Sequence, residues 1–235
     1  MLTRALNAFC ERRLRAAAED VTDASVRRRC LVLAPHPDDE TLGCGATIAR
    51  KRAAGTEVRV LFATDGRHSE SNGYTPEALA RVREGEARDA TRRLGVPAEQ
   101  LLFLGWEDGT LARREDELRV RLAVEIAHFA PEEVYAPVRF DGHADHEALS
   151  RAAAAAARAR GTPLLEYPVW FWVTPWWRRW ARGGFSVKAV RTDGLLDVKR
   201  EAYDAHRSQH GLGKVDGGRF LRRFFTSAEL YFSFS

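Results

Sequence analysis

CLVLAPHPDDETLGCGATIARKRAAG, residues 30–55, decides the fold. Its first five residues form a continuous apolar run that stops at Pro35, the signature of a short strand buried on both faces. From Thr41 onward, Leu42, Ile48 and several small residues recur at helical spacing, and Gly55 stands where a left-handed C-cap belongs. EVRVLFATDG then supplies a second strand over residues 57–63. Strand, helix and strand within about 35 residues make a βαβ unit, whose crossover is almost always right-handed.

The alternation runs on. A polar loop, GRHSESNGYTP, leads into a helix over residues 77–94, where Arg83, Glu84, Glu86 and Arg88 read as its solvent face. LLFLG (101–105) is a third strand, EDELRVRLAVEIAHFA (115–130) a helix, and EEVYAP (132–137) a fourth strand that opens into the loop VRFDGHADH. EALSRAAAAAARARG is a further helix and PLLEYPVW a further strand, with Trp170 finishing it; FSVKAVRT and ELYFSFS flank a last helix, DVKREAYDAHRSQ. This order predicts an α/β fold, a Rossmann-like three-layer sandwich with a mostly parallel sheet and helices on both faces. Residues 1–235 read as one domain, with an N-terminal helix at about residues 2–20 and a Trp/Arg-rich insertion at about residues 169–184.

Composition narrows the function. With 45% hydrophobic and 30% charged residues the chain has the balance of a soluble globular protein, and no run approaches the roughly 18 apolar residues of a membrane span. The opening MLTRALNAFCERRLRAAAED is an amphipathic helix without a signal-peptide core, so a cytoplasmic location is expected. Cys10, Cys30 and Cys44 are three cysteines with no CxxC pair, which excludes a disulfide framework and a thiolate zinc site. A net charge of +4 without a clustered basic stripe gives no nucleic-acid footprint.

Ligands of open α/β sheets bind at the carboxyl ends of the strands. HPDDE follows the first strand and HADH (143–146) the fourth, so the two histidine clusters can meet although about a hundred residues separate them. His36 and Asp39 lie three apart where a loop enters a helix, and His146 can approach from the other loop. Two imidazoles and a carboxylate leave an open position on a metal, and N/O ligands of this kind suit Zn2+. Such a site activates water for amide hydrolysis, with Asp38 positioned to take its proton. His143 can steady an oxyanion or protonate a leaving amine, with Asp145 orienting it and holding it charged. The plain alternative for the Asp38–Asp39 pair is helix capping. Arg67 and Asp108 also follow strand ends and can bind sugar hydroxyls or serve merely as turn and surface residues. His68, His128, His206 and His210 have no comparable setting and read as surface or core histidines.

APHPDDETLGCG followed by HADH resembles the LmbE-like or PIG-L superfamily of zinc-dependent N-deacetylases. TDG (64–66), RVREGEARDATRRLGV, LGWEDGTL, EYPVW and KREAYDAHRSQ extend the likeness over most of the chain. The resemblance implies a Rossmann-like fold, zinc on His36, Asp39 and His146 (with Fe2+ as another candidate), Asp38 as general base and His143 as oxyanion stabiliser or acid. It implies removal of acetyl from an N-acetylated amino sugar, the N-acetylglucosamine moiety of a glycoconjugate. Ala144 departs from the usual HPDH form of the second motif and removes no functional side chain. A non-sugar amide or thiol conjugate is the alternative substrate, and a non-catalytic sugar- or membrane-binding module the alternative class. VWFWVTPWWRRWARGG leaves three roles open for its Trp and Arg residues: a homo-oligomer interface, a substrate wall, or a membrane surface suited to a lipid-linked substrate.

Overall fold

The computed structural model describes residues 2–69, 73–174 and 184–234. Eight strands form one sheet: β1 (Glu19–Asp20), β2 (Cys30–Ala34), β3 (Val58–Thr64), β4 (Leu101–Trp106), β5 (Glu133–Pro137), β6 (Leu164–Tyr167), β7 (Phe185–Arg191) and β8 (Ala228–Phe234). Their order across the sheet is β1-β7-β8-β6-β5-β2-β3-β4. From β6 to β4 all neighbours are parallel, while β8 runs antiparallel to both β6 and β7. The expected mostly parallel α/β sheet is thus the observed one, with an antiparallel patch on one side.

Alternation along the strands divides the core. Cys30, Val32, Ala34, Val60 and Phe62 point to one face, whereas Leu31, Leu33, Leu61 and Ala63 point to the other. On the first face lie α1 (Leu2–Ala17), α3 (Asp39–Ala53), α4 (Pro76–Arg93), α7 (Leu196–Ala205) and the one-turn α8 (Arg219–Arg222), contributing Leu14, Ile48, Ala90, Ala202 and Phe220. On the second lie α5 (Glu115–Phe129) and α6 (Ala144–Arg160), which bring Leu122, Ile126, Leu149 and Ala153. The alanine run of α6 serves as a close-packing surface, because alternate small side chains let the helix settle against the sheet and α5.

β2 is the pivot. The chain steps from β2 to β3 on one side and returns to β5 on the other, so strand order reverses between β2 and β5. Loops leaving their carboxyl ends diverge and open a crevice there. Helix α3 starts at this crevice and is held close to the sheet by glycines: an added Cβ on Gly43 would sit 2.2 Å from the Tyr167 ring. Tyr167 cannot retreat, since it is fully buried and its hydroxyl donates to the Leu33 carbonyl at 2.8 Å. At the far end of α3, Gly55 adopts φ 76° and Thr56 N–H bonds to the Lys51 carbonyl, the Schellman closure expected of a C-cap glycine. Buried Lys199 on α7 pairs with Glu229 on β8 and donates to the Leu42 carbonyl, while Glu229 accepts from Ala46 and Thr47 N–H. That network anchors α3 through its second turn.

Three local expectations are corrected. HADH is no loop: His143 is the N-cap of α6 and the next three residues form its first turn. The strand of PLLEYPVW ends at Tyr167, and residues Trp170–Val173 form a 3-10 turn. Arg83 belongs to the buried side of α4. Two short elements, β1 and the one-turn α2 (Thr22–Ser25), occupy the polar approach to β2. Among the described residues no helix is long and apolar enough to cross a membrane. Trp176, Trp177, Trp180 and the intervening arginines lie outside the described residues.

Overpacking against a ring that cannot move costs about 1–3 kcal/mol. Gly43→Ala is therefore expected to lower the melting temperature by about 3–10 °C. Gly85→Ala, in the interior of α4 where an added methyl meets nothing within 4 Å, raises it by about 1–4 °C. Equal shifts for the two variants in a thermal melt would refute the close approach of α3.

Candidate functional site

The turn between β2 and α3 brings His36 and Asp39 together. His36 N–H donates to Asp39 Oδ2 at 2.9 Å, and the same oxygen lies 3.2 Å from His36 Nδ1. His146, in the first turn of α6, places Nε2 3.3 Å from both His36 Nδ1 and Asp39 Oδ2. Three lone-pair donors thus form a nearly equilateral triangle. In a tetrahedral zinc site, bonds of about 2.0–2.1 Å put neighbouring donors about 3.3–3.4 Å apart. The triangle therefore has the size of one face of such a site, and its donor set suits zinc.

Each imidazole is braced from behind. His36 Nε2 faces Asp108 Oδ1 at 3.0 Å and Asp145 Oδ2 at 3.3 Å, while His146 Nδ1 lies 2.8 Å from Asp141 Oδ2. Carboxylates on the remote nitrogen orient a metal-binding histidine and fix its tautomer. Burial alone would push both pKa values down; the carboxylates outweigh it and raise His36 well above, and His146 above, the ordinary imidazole value. Burial would raise Asp39, but His146 and His36 overcome it and draw its pKa down to about 2. A second set, His36, His143 and Asp145, also presents donors within 4.8 Å of one another. Asp145 there is already occupied by the backbone N–H groups of Gly109 and Leu111, so the His36–Asp39–His146 face is the better seat.

Asp38 stands at the N-cap position of α3 yet makes no side-chain capping bond, so the capping alternative does not describe it. Its φ of 137° is outside the regions ordinary side chains favour, a strain of about 1–3 kcal/mol. Contacts from two elements hold it. Arg83 on α4 donates to the Pro37 carbonyl (2.5 Å), the Gly66 carbonyl (2.9 Å) and Asp38 Oδ1 (3.2 Å). Glu40 Oε2 accepts from Asp38 N–H at 3.0 Å, and its Oε1 meets Thr41 and His206. Burial pushes the Asp38 pKa up to about 6, with Arg83 opposing and Asp39 reinforcing the rise.

His143 lies beside both imidazoles of the donor triangle, with ring centroids 4.9 Å from His36 and 4.8 Å from His146. The expectation that Asp145 orients His143 and keeps it charged is not met. The Asp145 carboxylate turns to Gly109, Leu111 and His36 instead. His143 Nδ1 accepts from the Asp145 backbone N–H at 3.3 Å, which assigns its proton to Nε2 in the neutral ring. Burial and the neighbouring imidazoles push its pKa down, in keeping with a neutral ring.

Arg67 is also corrected: it pairs with Asp65 at 2.6 Å and does not line the cavity. Asp108 does line it, but one oxygen braces His36 and the other accepts from His68 N–H. Arg83, Glu40 and His206 escaped the sequence reading as a unit. Periodicity put Arg83 outside, and nothing near His206 in sequence advertises its partner 166 positions away.

His36, Asp38, Asp39, Arg83, Asp108 and His143 border a cavity of about 450 Å³ whose other lining includes Leu42, His68, Ser69, Val169, Trp170, Gln209 and Phe220. The fold and this site coincide with a match to the family model PIG-L, GlcNAc-PI de-N-acetylase, over residues 31–157. A probable N-acetyl-α-D-glucosaminyl L-malate deacetylase 2 of Bacillus cereus is 30% identical over 190 residues, 78% of this chain and 84% of that protein. A 1D-myo-inositol 2-acetamido-2-deoxy-α-D-glucopyranoside deacetylase of Mycolicibacterium gilvum is 34% identical over 61% of this chain, a match that spans 58% of that relative. Among solved structures, the conserved protein TT1542 of Thermus thermophilus superposes with a TM-score of 0.65 at 30% identity, covering 88% of this chain and 94% of that one. The chain belongs to the PIG-L family of deacetylases.

Raised imidazole pKa values have a measurable consequence. The protonated rings stabilise the metal-free fold below about pH 6.5, and that contribution is lost as pH rises through their elevated folded values. A zinc ion held by the triangle would need the neutral lone pairs, so binding of added zinc near pH 7 is expected to release at least about one proton and to tighten about tenfold or more from pH 6 to pH 8. Calorimetric titration in buffers of different ionisation enthalpy measures both. No proton release and a flat pH dependence would refute the assignment.

Proposed function

We propose that the protein is a zinc-dependent hydrolase that removes the acetyl group from an N-acetylated amino sugar, with residues 1–235 forming one catalytic unit. The observation that carries the reading is the donor triangle of His36, Asp39 and His146, with the raised, buried carboxyl of Asp38 beside it in a cavity. His36, Asp39 and His146 would hold the zinc, which when bound supplies carbonyl polarisation and a lowered pKa for water. The named deacetylase relatives act on N-acetylglucosaminyl conjugates, which favours an amino sugar over a non-sugar amide.

The chain's own groups divide the remaining work. Arg83 occupies Asp38 Oδ1, leaving Oδ2 to take the proton of the attacking water and later return it to the leaving amine. A pKa of about 6 keeps Asp38 mostly ionised near neutral pH and still basic enough to accept that proton. His143, neutral with its proton on Nε2, donates from that atom to the oxygen that becomes negatively charged. Asp108 and Asp145 keep His36 in register, and Asp141 does the same for His146.

Acetate release from a panel of N-acetylglucosaminides by the zinc-loaded protein tests the substrate class; amine release only from non-sugar conjugates would replace it. Asp38→Asn is expected to retain one zinc while kcat falls about 10²–10⁴-fold. The acid limb of the wild-type pH profile should lie near 6, because activity is lost as Asp38 becomes protonated. Near-wild-type turnover by the variant would dismiss Asp38 as the base.

A further inference from the structure

We propose that Trp170, backed by the buried Leu42, Val169 and Phe220, forms a subsite for an apolar group on the substrate, either an extended N-acyl chain or an apolar aglycone. The proposal rests on the amino-sugar deacetylase reading and names the kind of substituent that site accepts. The cavity lining is of two kinds. His68, Ser69, Asp108 and Gln209 supply polar groups, linked by hydrogen bonds from His68 N–H to Asp108 and from Gln209 to Ser69 and suited to sugar hydroxyls. Leu42, Val169, Trp170 and Phe220 are apolar, and the aromatic members are stacked: the Trp170 and Phe220 rings lie 5.0 Å apart at an interplanar angle of 24°. Phe220 is fully buried, whereas Trp170 is partly exposed, so Trp170 is the aromatic surface left for a ligand. Stacked aromatic rings with a free apolar surface are suited to bind hydrocarbon or another ring.

The wall is fixed relative to the metal ligands. Asp141 Oδ1 accepts from the N–H groups of Val169 and Phe171 at 2.9 and 2.8 Å, and its Oδ2 accepts from Trp170 N–H at 2.9 Å. The same Oδ2 lies 2.8 Å from His146 Nδ1. One buried carboxylate therefore sets both the orientation of a metal-site imidazole and the position of the aromatic wall. Leu42 is tied to the site from the other direction, one helical turn beyond Asp39 on α3. A substituent resting on this wall would be registered against the scissile amide without contacting the reacting atoms. Charge agrees with an uncharged substituent: Asp38, Asp39 and Asp108 line the cavity, and among the described lining residues the guanidinium of Arg83 is committed to Asp38 and two carbonyls.

The test compares two series on the zinc-loaded full chain. One holds the N-acetyl group constant and changes the glycoside from methyl to octyl; the other holds the methyl glycoside constant and lengthens N-acetyl to N-butyryl and N-hexanoyl. One series is expected to gain at least about tenfold in kcat/KM, mainly through KM, and which one gains identifies the source of the apolar group. Trp170→Ser should bring that ratio to within about twofold of unity, and Trp170→Phe should leave an intermediate ratio. No gain in either series, or a gain that survives Trp170→Ser, would overturn the subsite. Calorimetric binding of the same compounds to Asp38→Asn separates this result from the fate of the functional reading. If no N-acetyl sugar is hydrolysed but binding still favours the longer apolar group and loses that preference without Trp170, the deacetylase reading fails and the subsite stands. Hydrolysis of the sugars without any such preference has the opposite meaning.

Discussion

The site depends on keeping a crowd of carboxylates out of water. Asp38, Asp39, Glu40, Asp108, Asp141 and Asp145 are all buried at the carboxyl ends of the strands, where an unpaired charge would cost several kcal/mol. Each is answered by a specific donor or cation. Asp39 faces two imidazoles, Asp108 and Asp145 share His36, Asp141 serves His146 and three backbone N–H groups, Glu40 meets His206, and Asp38 meets Arg83. Removing one partner exposes the next, so these residues act as a network whose members stabilise one another. A divalent cation in the donor triangle would add the positive charge this cluster attracts and displace protons from the rings.

The same constraint explains why the surrounding fold is so firmly braced. The strained backbone at Asp38 persists only if its surroundings over-determine it, and they do so from three directions. Arg83 reaches in from α4, Glu40 supports the amide from α3, and His206 supports Glu40 from the end of α7. Helix α7 is fixed in turn by the buried Lys199–Glu229 pair, which also gathers the N–H groups of α3. Helix starts can carry the site because packing along the helices holds them in place.

The sequence made the periodic parts of this legible. Buried parallel strands are short apolar runs, and β2, β3, β4 and β5 differ from the expected bounds by at most a residue. His36, Asp39 and His146 could be paired in advance because each follows a strand of the same sheet. What stayed hidden was long-range charge pairing, which leaves no local pattern. Arg83 sits among charged residues that do face solvent, so its turn inward depends on a carboxylate 45 positions earlier. Asp141 lies in a polar loop and looks like a turn former, although it joins His146 to the aromatic segment. Asp145 is two residues from His143, and sequence proximity suggested a pairing that helix geometry denies: as the first turn of α6 forms, the carboxylate swings toward Gly109 and Leu111.

Under the proposed deacetylase function, adjacent aspartates divide acid–base and metal work because backbone and environment separate them. The positive φ at Asp38 breaks the helical path, so its side chain leaves in a different direction from that of Asp39, the first helical residue. Asp39 then enters a field of two imidazoles and is held near a pKa of 2, suited to a ligand that must not be protonated. Asp38 is buried among Arg83, Asp39 and Glu40 with one guanidinium on one oxygen and reaches about 6, suited to a group that must gain and lose a proton near neutrality. Pairs of titratable groups driven apart by their surroundings are how one site runs both halves of a proton transfer. Replacing either residue by the other's environment would cancel the difference, which is why the strain at Asp38 is worth its cost to the fold.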